Sequence, residues 1–136
     1  MRRLIILAVL VLGTVAFAVS STWAGNPHFI TVTATRSDNT LTVSGKEAGL
    51  GNESQVHIVV TANASCINPG DNHPRAANKV SVSAEGDFPV QNGKALFTLD
   101  LTATFQPDCT PPMTVVFSDV TVEDVTNGIS KSLGSF

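Results

Sequence analysis

Apolar side chains recur at every second position through most of this chain, and no stretch carries a helical stripe. From Ala95 onward the odd positions Ala95, Phe97, Leu99, Leu101, Ala103 and Phe105 are apolar, while Thr98, Asp100, Thr102 and Thr104 face the other way. Only Leu96 breaks the pattern. Successive residues of a strand point to opposite faces, so the run predicts a strand with one buried and one wet side. It is the longest clean alternation and is expected to be a central strand. Ile30, Val32 and Ala34 alternate with Thr31, Thr33 and Thr35 in the same way. Leu41 and Val43, then Val56, Ile58, Val60 and Ala62, then Val80, Val82 and Ala84 make further runs. Met113, Val115 and Phe117 are odd, whereas Val120 and Val122 are even. A β-bulge or a break at Ser118-Asp119 would return both sets to the core side.

Turn residues separate these runs. Ser37-Asp38-Asn39 precedes Leu41, and Asn127-Gly128 leads into a last short strand ending near Phe136. The best local signal is Asn92-Gly93, the preferred centre of a type I′ hairpin. A two-residue loop there pairs Gln91 with Lys94, Val90 with Ala95 and Phe88 with Phe97, which keeps apolar opposite apolar. Pro89 cannot donate to a ladder, so its strand is expected to be an edge or a bulged one. No linker, repeat or low-complexity tract divides the chain. The expectation is an all-β fold: one immunoglobulin-like β-sandwich domain over residues 25–136, with about seven to eight strands.

Residues 1–24 read differently. Arg2 and Arg3 precede an apolar stretch from Leu4 to Val19, and Ser20 to Ala24 offer small residues for cleavage. This is the order of a Sec-type signal peptide, with the cut expected after Ala24 and Ala18 as the alternative. The stretch is shorter than the roughly 20 residues of a membrane-crossing helix. A secreted chain with no membrane association after cleavage follows. In such a chain Cys66 and Cys109, the only cysteines, read as one disulfide. Closing a loop 43 positions long would stabilise the fold by about 4 kcal/mol. Neither a C-x-x-C redox motif nor paired zinc-ligand spacing is present.

Of 136 residues, 8 are basic and 11 acidic, a formal charge of -3, which gives no basic patch for nucleic acid. The G-x-S-x-G pattern of serine hydrolases is missing. Gly49-Leu50-Gly51 lacks the third glycine and the strand–helix setting of a dinucleotide site, and turn geometry explains it. Asp119, Glu123 and Asp124 read as a solvated strand edge rather than as a catalytic carboxylate pair. His57 falls on the wet face of a strand, and His28 lies in the unanchored start of the domain. The long segment from Cys66 to Asn78 lacks alternation and is the candidate binding loop, through Asn68, Asp71, Asn72, His73 and Arg75. Asp71 and His73 supply two metal ligands at most, so no metal and no cofactor is expected there. Asn52-Glu53-Ser54 and Asn63-Ala64-Ser65 match the glycosylation sequon.

Four stretches together carry a resemblance. Lys46 to Asn52 (KEAGLGN), Cys66 to Gly70 continuing through Pro74 to Ala77-Asn78-Lys79, Cys109 to Pro112 (CTPP), and Val122 to Gly128 resemble a group of small exported proteins of actinobacteria and similar soil bacteria. The resemblance implies a bacterial, extracytoplasmic protein, in which the two sequons go unused. It implies no activity. The function expected is therefore a non-enzymatic extracellular binding or structural module, with a partner at the cell surface or among extracellular proteins. Trp23, the sole tryptophan, lies in the leader, and tyrosine is absent, which argues against stacking on polysaccharide. The alternatives are a small secreted enzyme inhibitor or hydrolase, or a small-ligand carrier.

Overall fold

A computed structural model describes residues 25–70 and 78–136. The leader sequence at 1–24 lies outside the described residues. Alternation becomes seven strands: β1 (His28–Ser37), β2 (Thr40–Ala48), β3 (Gln55–Ile67), β4 (Lys79–Gln91), β5 (Lys94–Thr102), β6 (Thr114–Asp124) and β7 (Ile129–Gly134). They form one all-antiparallel sheet in the order β1-β2-β5-β4-β3-β6-β7. The fold is all-β, as the sequence predicts, and the Cys66–Cys109 disulfide is formed with a Cα–Cα distance of 5.8 Å.

The sheet is continuous only at one narrow point. Strands β4 and β5 pair solely through Val90–Ala95 and Gln91–Lys94, on either side of Asn92-Gly93. Both turn residues have positive φ, 53° and 73°, as a type I′ turn requires. Beyond those pairs β4 leaves β5 and runs along β3 from Lys79 to Pro89. The expected Phe88–Phe97 backbone pair is therefore not made. Phe88 lies opposite Val56 instead, and Phe97 opposite Gly45. The two rings still meet edge to face, with centroids 6.1 Å apart. Pro89 sits where β4 has just lost β5 as a neighbour, the edge position its missing N–H demands.

β5 lies inside the sheet, between β2 and β4, but it is not the longest strand, because Ala103 and Phe105 are buried after the ladder has ended. β3 is the strand paired along its length on both sides, with β4 and β6. Ile30 is not on the core face: a bulge between Phe29 and Thr31 leaves it 48% exposed. The bulge turns Phe29 inward, where its ring meets Phe97 at 6.0 Å and 74°. An aromatic ring buries more apolar area than an isoleucine side chain, which gives the exchange its advantage.

The bulge expected at Ser118-Asp119 is present. Thr61 pairs with Thr121 and Asn63 with Ser118, so one register step is absorbed there, and Asp119 takes φ 51°. Phe117 and Val122 are consequently both buried. A single apolar cluster combines Leu41 and Val43 of β2, Phe97 and Leu101 of β5, Val56, Ile58 and Val60 of β3, and Phe117, Val120 and Val122 of β6. Leu96, the residue that broke the alternation, is 70% exposed on the outer side. Phe136 closes the chain by exchanging backbone hydrogen bonds of 2.8 and 2.9 Å with Phe117.

Antiparallel order puts the connections at two ends. The β1–β2 turn, the end of β3, the start of β4 and the β5–β6 link lie at the disulfide end. The β2–β3 loop, the β4–β5 hairpin and the β6–β7 turn lie at the other.

Candidate functional site

The disulfide end contains a cleft of about 710 Å³. The end of β1 supplies Arg36, the β1–β2 turn supplies Asp38, and the β5–β6 link supplies Phe105, Asp108, Thr110 and Pro112. Ala103, Phe105, Pro111, Pro112 and Met113 add apolar surface to the same cleft beside these polar groups. Local bonding fixes both walls. Asn39 and Ala103 exchange hydrogen bonds: the Ala103 N–H donates to the Asn39 carbonyl at 2.9 Å, and Asn39 Nδ2 donates to the Ala103 carbonyl at 3.0 Å. In the link, the Met113 N–H donates to Thr110 at 2.9 Å, and Gln106-Pro107 and Pro111-Pro112 are cis.

Cys109 lines this cleft and is bonded to Cys66, which is buried near the end of β3. Asn68 follows two positions later and is exposed. The bridge thus anchors the start of the expected binding loop to the cleft wall. Of the five loop residues singled out in the sequence, Asn68 is placed, while Asp71, Asn72, His73 and Arg75 lie outside the described residues. Arg36 and Asp108, which line the cleft, were not foreseen. Arg36 has the parity of Val32 and Ala34 and so follows the inward face to the strand's end. That was the signal available.

The opposite end holds a different chemistry. Glu47 and Asp124 are both fully buried, at 0% exposure. Asp124 was expected on a solvated edge; the correction follows from parity, since Val120, Val122 and Asp124 share the inward face of β6 after its bulge. Glu47 likewise follows Leu41, Val43 and Gly45 on the inward face of β2. Neither Glu47 oxygen has a donor within reach. Its polar neighbour is the Asp124 carboxyl, and Glu53 adds negative charge nearby. Two carboxylates cannot satisfy one another, so Glu47 carries a proton and offers it to Asp124. Burial first, then the Asp124 hydrogen bond and the charges of Asp124 and Glu53, push the Glu47 pKa up to about 9.

Asp124 has other partners. Asn127 Nδ2 donates to Asp124 Oδ2 at 2.6 Å and to Glu53 Oε2 at 3.0 Å, and the Asn127 backbone N–H donates to Asp124 Oδ1 at 3.2 Å. The Gly128 N–H donates to the Asp124 carbonyl at 2.8 Å. Glu47 and Asn52 to Glu53 come from the segment that begins KEAGLGN, and Asp124 to Asn127 from VEDVTNG. Two stretches far apart in the sequence therefore meet at this end. Among the described residues no three His, Cys, Asp or Glu side chains converge on one point.

On the outer face of β3 and β4, His57 lies between two carboxylates. Nδ1 is 2.7 Å from Asp87 Oδ1, and Nε2 is 3.2 Å from Glu85 Oε2. The hydrogen bond to Asp87, then that to Glu85, raises the imidazole pKa above its usual value. His57 is thus a surface residue, but one with two acidic partners that its sequence position alone did not show. His28 donates from Nδ1 to the Asn26 carbonyl at 2.6 Å.

Comparison with known proteins finds no matching family, no matching curated protein and no matching solved structure.

Proposed function

We propose that this chain is an exported, non-catalytic binding or structural module, and that its ligand-binding end is the cleft beside the disulfide. The observation that carries this reading is the Cys66–Cys109 bridge, which joins the cleft wall to the start of the 68–78 segment. A covalently anchored rim loses less conformational freedom on binding than a free loop. The disulfide itself indicates an oxidising compartment. Removal of residues 1–24 as a Sec-type leader, secretion into the medium and membership of the actinobacterial group belong to the same reading. So does a two-layer, immunoglobulin-like arrangement, supported by the confinement of β4–β5 pairing to the hairpin.

The test is a pull-down from culture supernatant and cell-wall extract with the tagged, processed chain, repeated with Arg36→Ala and Asp108→Ala. Capture of a component that the wild type retains and both variants lose is the expected result. Equal capture by all three, or turnover of generic ester, phosphate or glycoside substrates, would overturn the reading. Protection of a protease's substrate would favour the inhibitor instead.

A further inference from the structure

We propose that residues 79–87 of β4 form a pairing edge for a second copy of this chain, the two edges joining antiparallel about a two-fold axis at Ser83. The first ground is an unsatisfied backbone. Among the described residues, β4 pairs with β3 from Lys79 to Pro89 and meets β5 only at Val90 and Gln91. The Val90 N–H donates to the Ser54 carbonyl at 3.0 Å, so the even positions of β4 turn their backbone groups toward β3. The odd positions Ser81, Ser83, Glu85 and Asp87 turn theirs outward, where no described strand receives them. Such a row of free N–H and C=O groups is a template for another strand.

The second ground is that this edge complements itself. An antiparallel partner in hydrogen-bonding register sets odd positions opposite odd ones. Centred on Ser83, that register places Lys79 opposite Asp87 of the second copy and Ser81 opposite Glu85 of the second copy, and the symmetry repeats both pairs. Opposite charges directly across a sheet attract, and like charges repel. Asp87 and Glu85 already share His57, at 2.7 and 3.2 Å, but one imidazole cannot neutralise two carboxylates, and both stay more than half exposed. Lys79 of the second copy brings the missing cation. On the inner face Val82 falls opposite Ala84 and Val80 opposite Gly86, so the half-buried apolar row of β4 continues into the second copy. Moving the centre to Glu85 would set that carboxylate against itself, and Pro89 ends the edge because it has no N–H to give.

The other edges are guarded. β1 is bulged between Phe29 and Thr31, and β7 spans only Ile129–Gly134, beside a second irregularity at Val120 and Thr121. Short and bulged edge strands discourage pairing. Beyond Ala95, β5 also lacks a neighbour on its β4 side. Asp100 is the only charge between Leu96 and Thr102, however, and it is bonded to Thr42 at 2.6 Å. A second β5 brings no cation to it. Among the described edges only β4 combines length, free backbone groups and charges of both signs in self-complementary register.

The experiment is sedimentation of the purified full-length or naturally processed chain from micromolar to millimolar concentration. The mass should rise from one chain toward two. Ser83→Pro removes an outward N–H that β3 does not use, so it should keep the far-UV spectrum and sediment as one chain throughout. Lys79→Asp sets carboxylates opposite one another and should weaken the dimer about tenfold. Adding Asp87→Lys to it exchanges the two charges and should restore association. Ser83→Cys, on the axis, should be joined to its counterpart by a short bis-maleimide, whereas Thr35→Cys on β1 should not. The charge exchange and the cross-link decide the matter even where proline perturbs the strand. A single-chain mass at every concentration would overturn the proposal. So would a dimer indifferent to Ser83→Pro, a charge exchange that fails to rescue Lys79→Asp, or equal cross-linking of Thr35→Cys.

Discussion

The two ends of this sheet are fixed by opposite means. At the disulfide end a covalent bond joins β3 to the β5–β6 link, and the charged side chains around the cleft, Arg36 among them, stay in contact with water. At the carboxyl end no covalent bond helps, and two acids are packed out of reach of water. Backbone contacts supply the cohesion there, including the Leu50 N–H donating to the Gly93 carbonyl at 3.0 Å. The first end is stabilised whatever the charge state of its residues. The second is sensitive to protons, because every deprotonation of Glu47 places a second negative charge in a buried space. A domain can therefore carry a rigid rim and a chemically responsive base on the same seven strands.

Removing the disulfide should give the largest effect. Cys66→Ala with Cys109→Ala frees a 43-residue separation and should cost about 4 kcal/mol. In chemical denaturation this appears as a lowered midpoint, and in melting as a fall of roughly 10–20 °C. If the double variant melted like the wild type, the supposed rigidity of that end would be without substance.

The next effect should come from Glu47→Gln. Glu47 binds its proton in the folded chain up to about pH 9, against 4.5 in an ordinary setting. Its folded pKa is raised, so its contribution to stability is fully present below pH 4.5 and is lost progressively as pH rises toward 9. The wild type should thus weaken between mildly acidic and alkaline pH. Glutamine mimics the protonated acid, and the variant should be more stable at pH 7–8 by up to about 3 kcal/mol, with a flatter profile. Parallel pH profiles for the two proteins would contradict a buried, protonated Glu47.

Packing beside the carboxyl end provides a smaller test. A methyl group added at Gly45 would overlap the Phe97 ring and approach the Thr31 carbonyl oxygen at 2.8 Å. Gly45→Ala should therefore cost about 1–3 kcal/mol by overpacking. Combining it with Phe97→Leu should cost less than the sum of the two single changes, since the second removes the obstacle.

His57 should show the smallest effect. Its raised pKa means that its pairing with Asp87 and Glu85 contributes below pH 6.5 and fades as pH climbs through the folded value. Because both carboxylates are largely exposed, His57→Ala should barely move the melting temperature. An NMR titration should place the imidazole midpoint above 6.5, and Asp87→Asn should lower it.

Much of this was written locally in the chain. Alternation located β2, β3 and β5, Asn92-Gly93 gave the hairpin register for its first two pairs, and the parity change at Ser118-Asp119 announced the bulge in β6. Those features rest on side-chain direction and turn chemistry, which neighbours in sequence decide. Ile30 misled for a reason of the same size: one extra residue shifted the inward face to Phe29, and only Phe97 across the sheet made that preferable.

The candidate sites were less legible. The loop from Asn68 to Arg75 stood out because it lacked alternation, yet the Arg36 and Asp108 walls of the cleft come from segments far apart in the chain. Glu47 and Asp124 could have been suspected, because each continues an apolar parity to a strand end. Parity says that a side chain points inward but not what it will face there.

The amino-acid order alone thus settled that this chain forms strands, where most of them bend, and that its two cysteines join. Which strands lie side by side, where β4 abandons β5 for β3, and that two acids from opposite halves of the sheet share one buried space were decided only by tertiary packing. Strand formation depends on each residue and its near neighbours, whereas the environment of a buried charge is set by whichever distant segment closes over it.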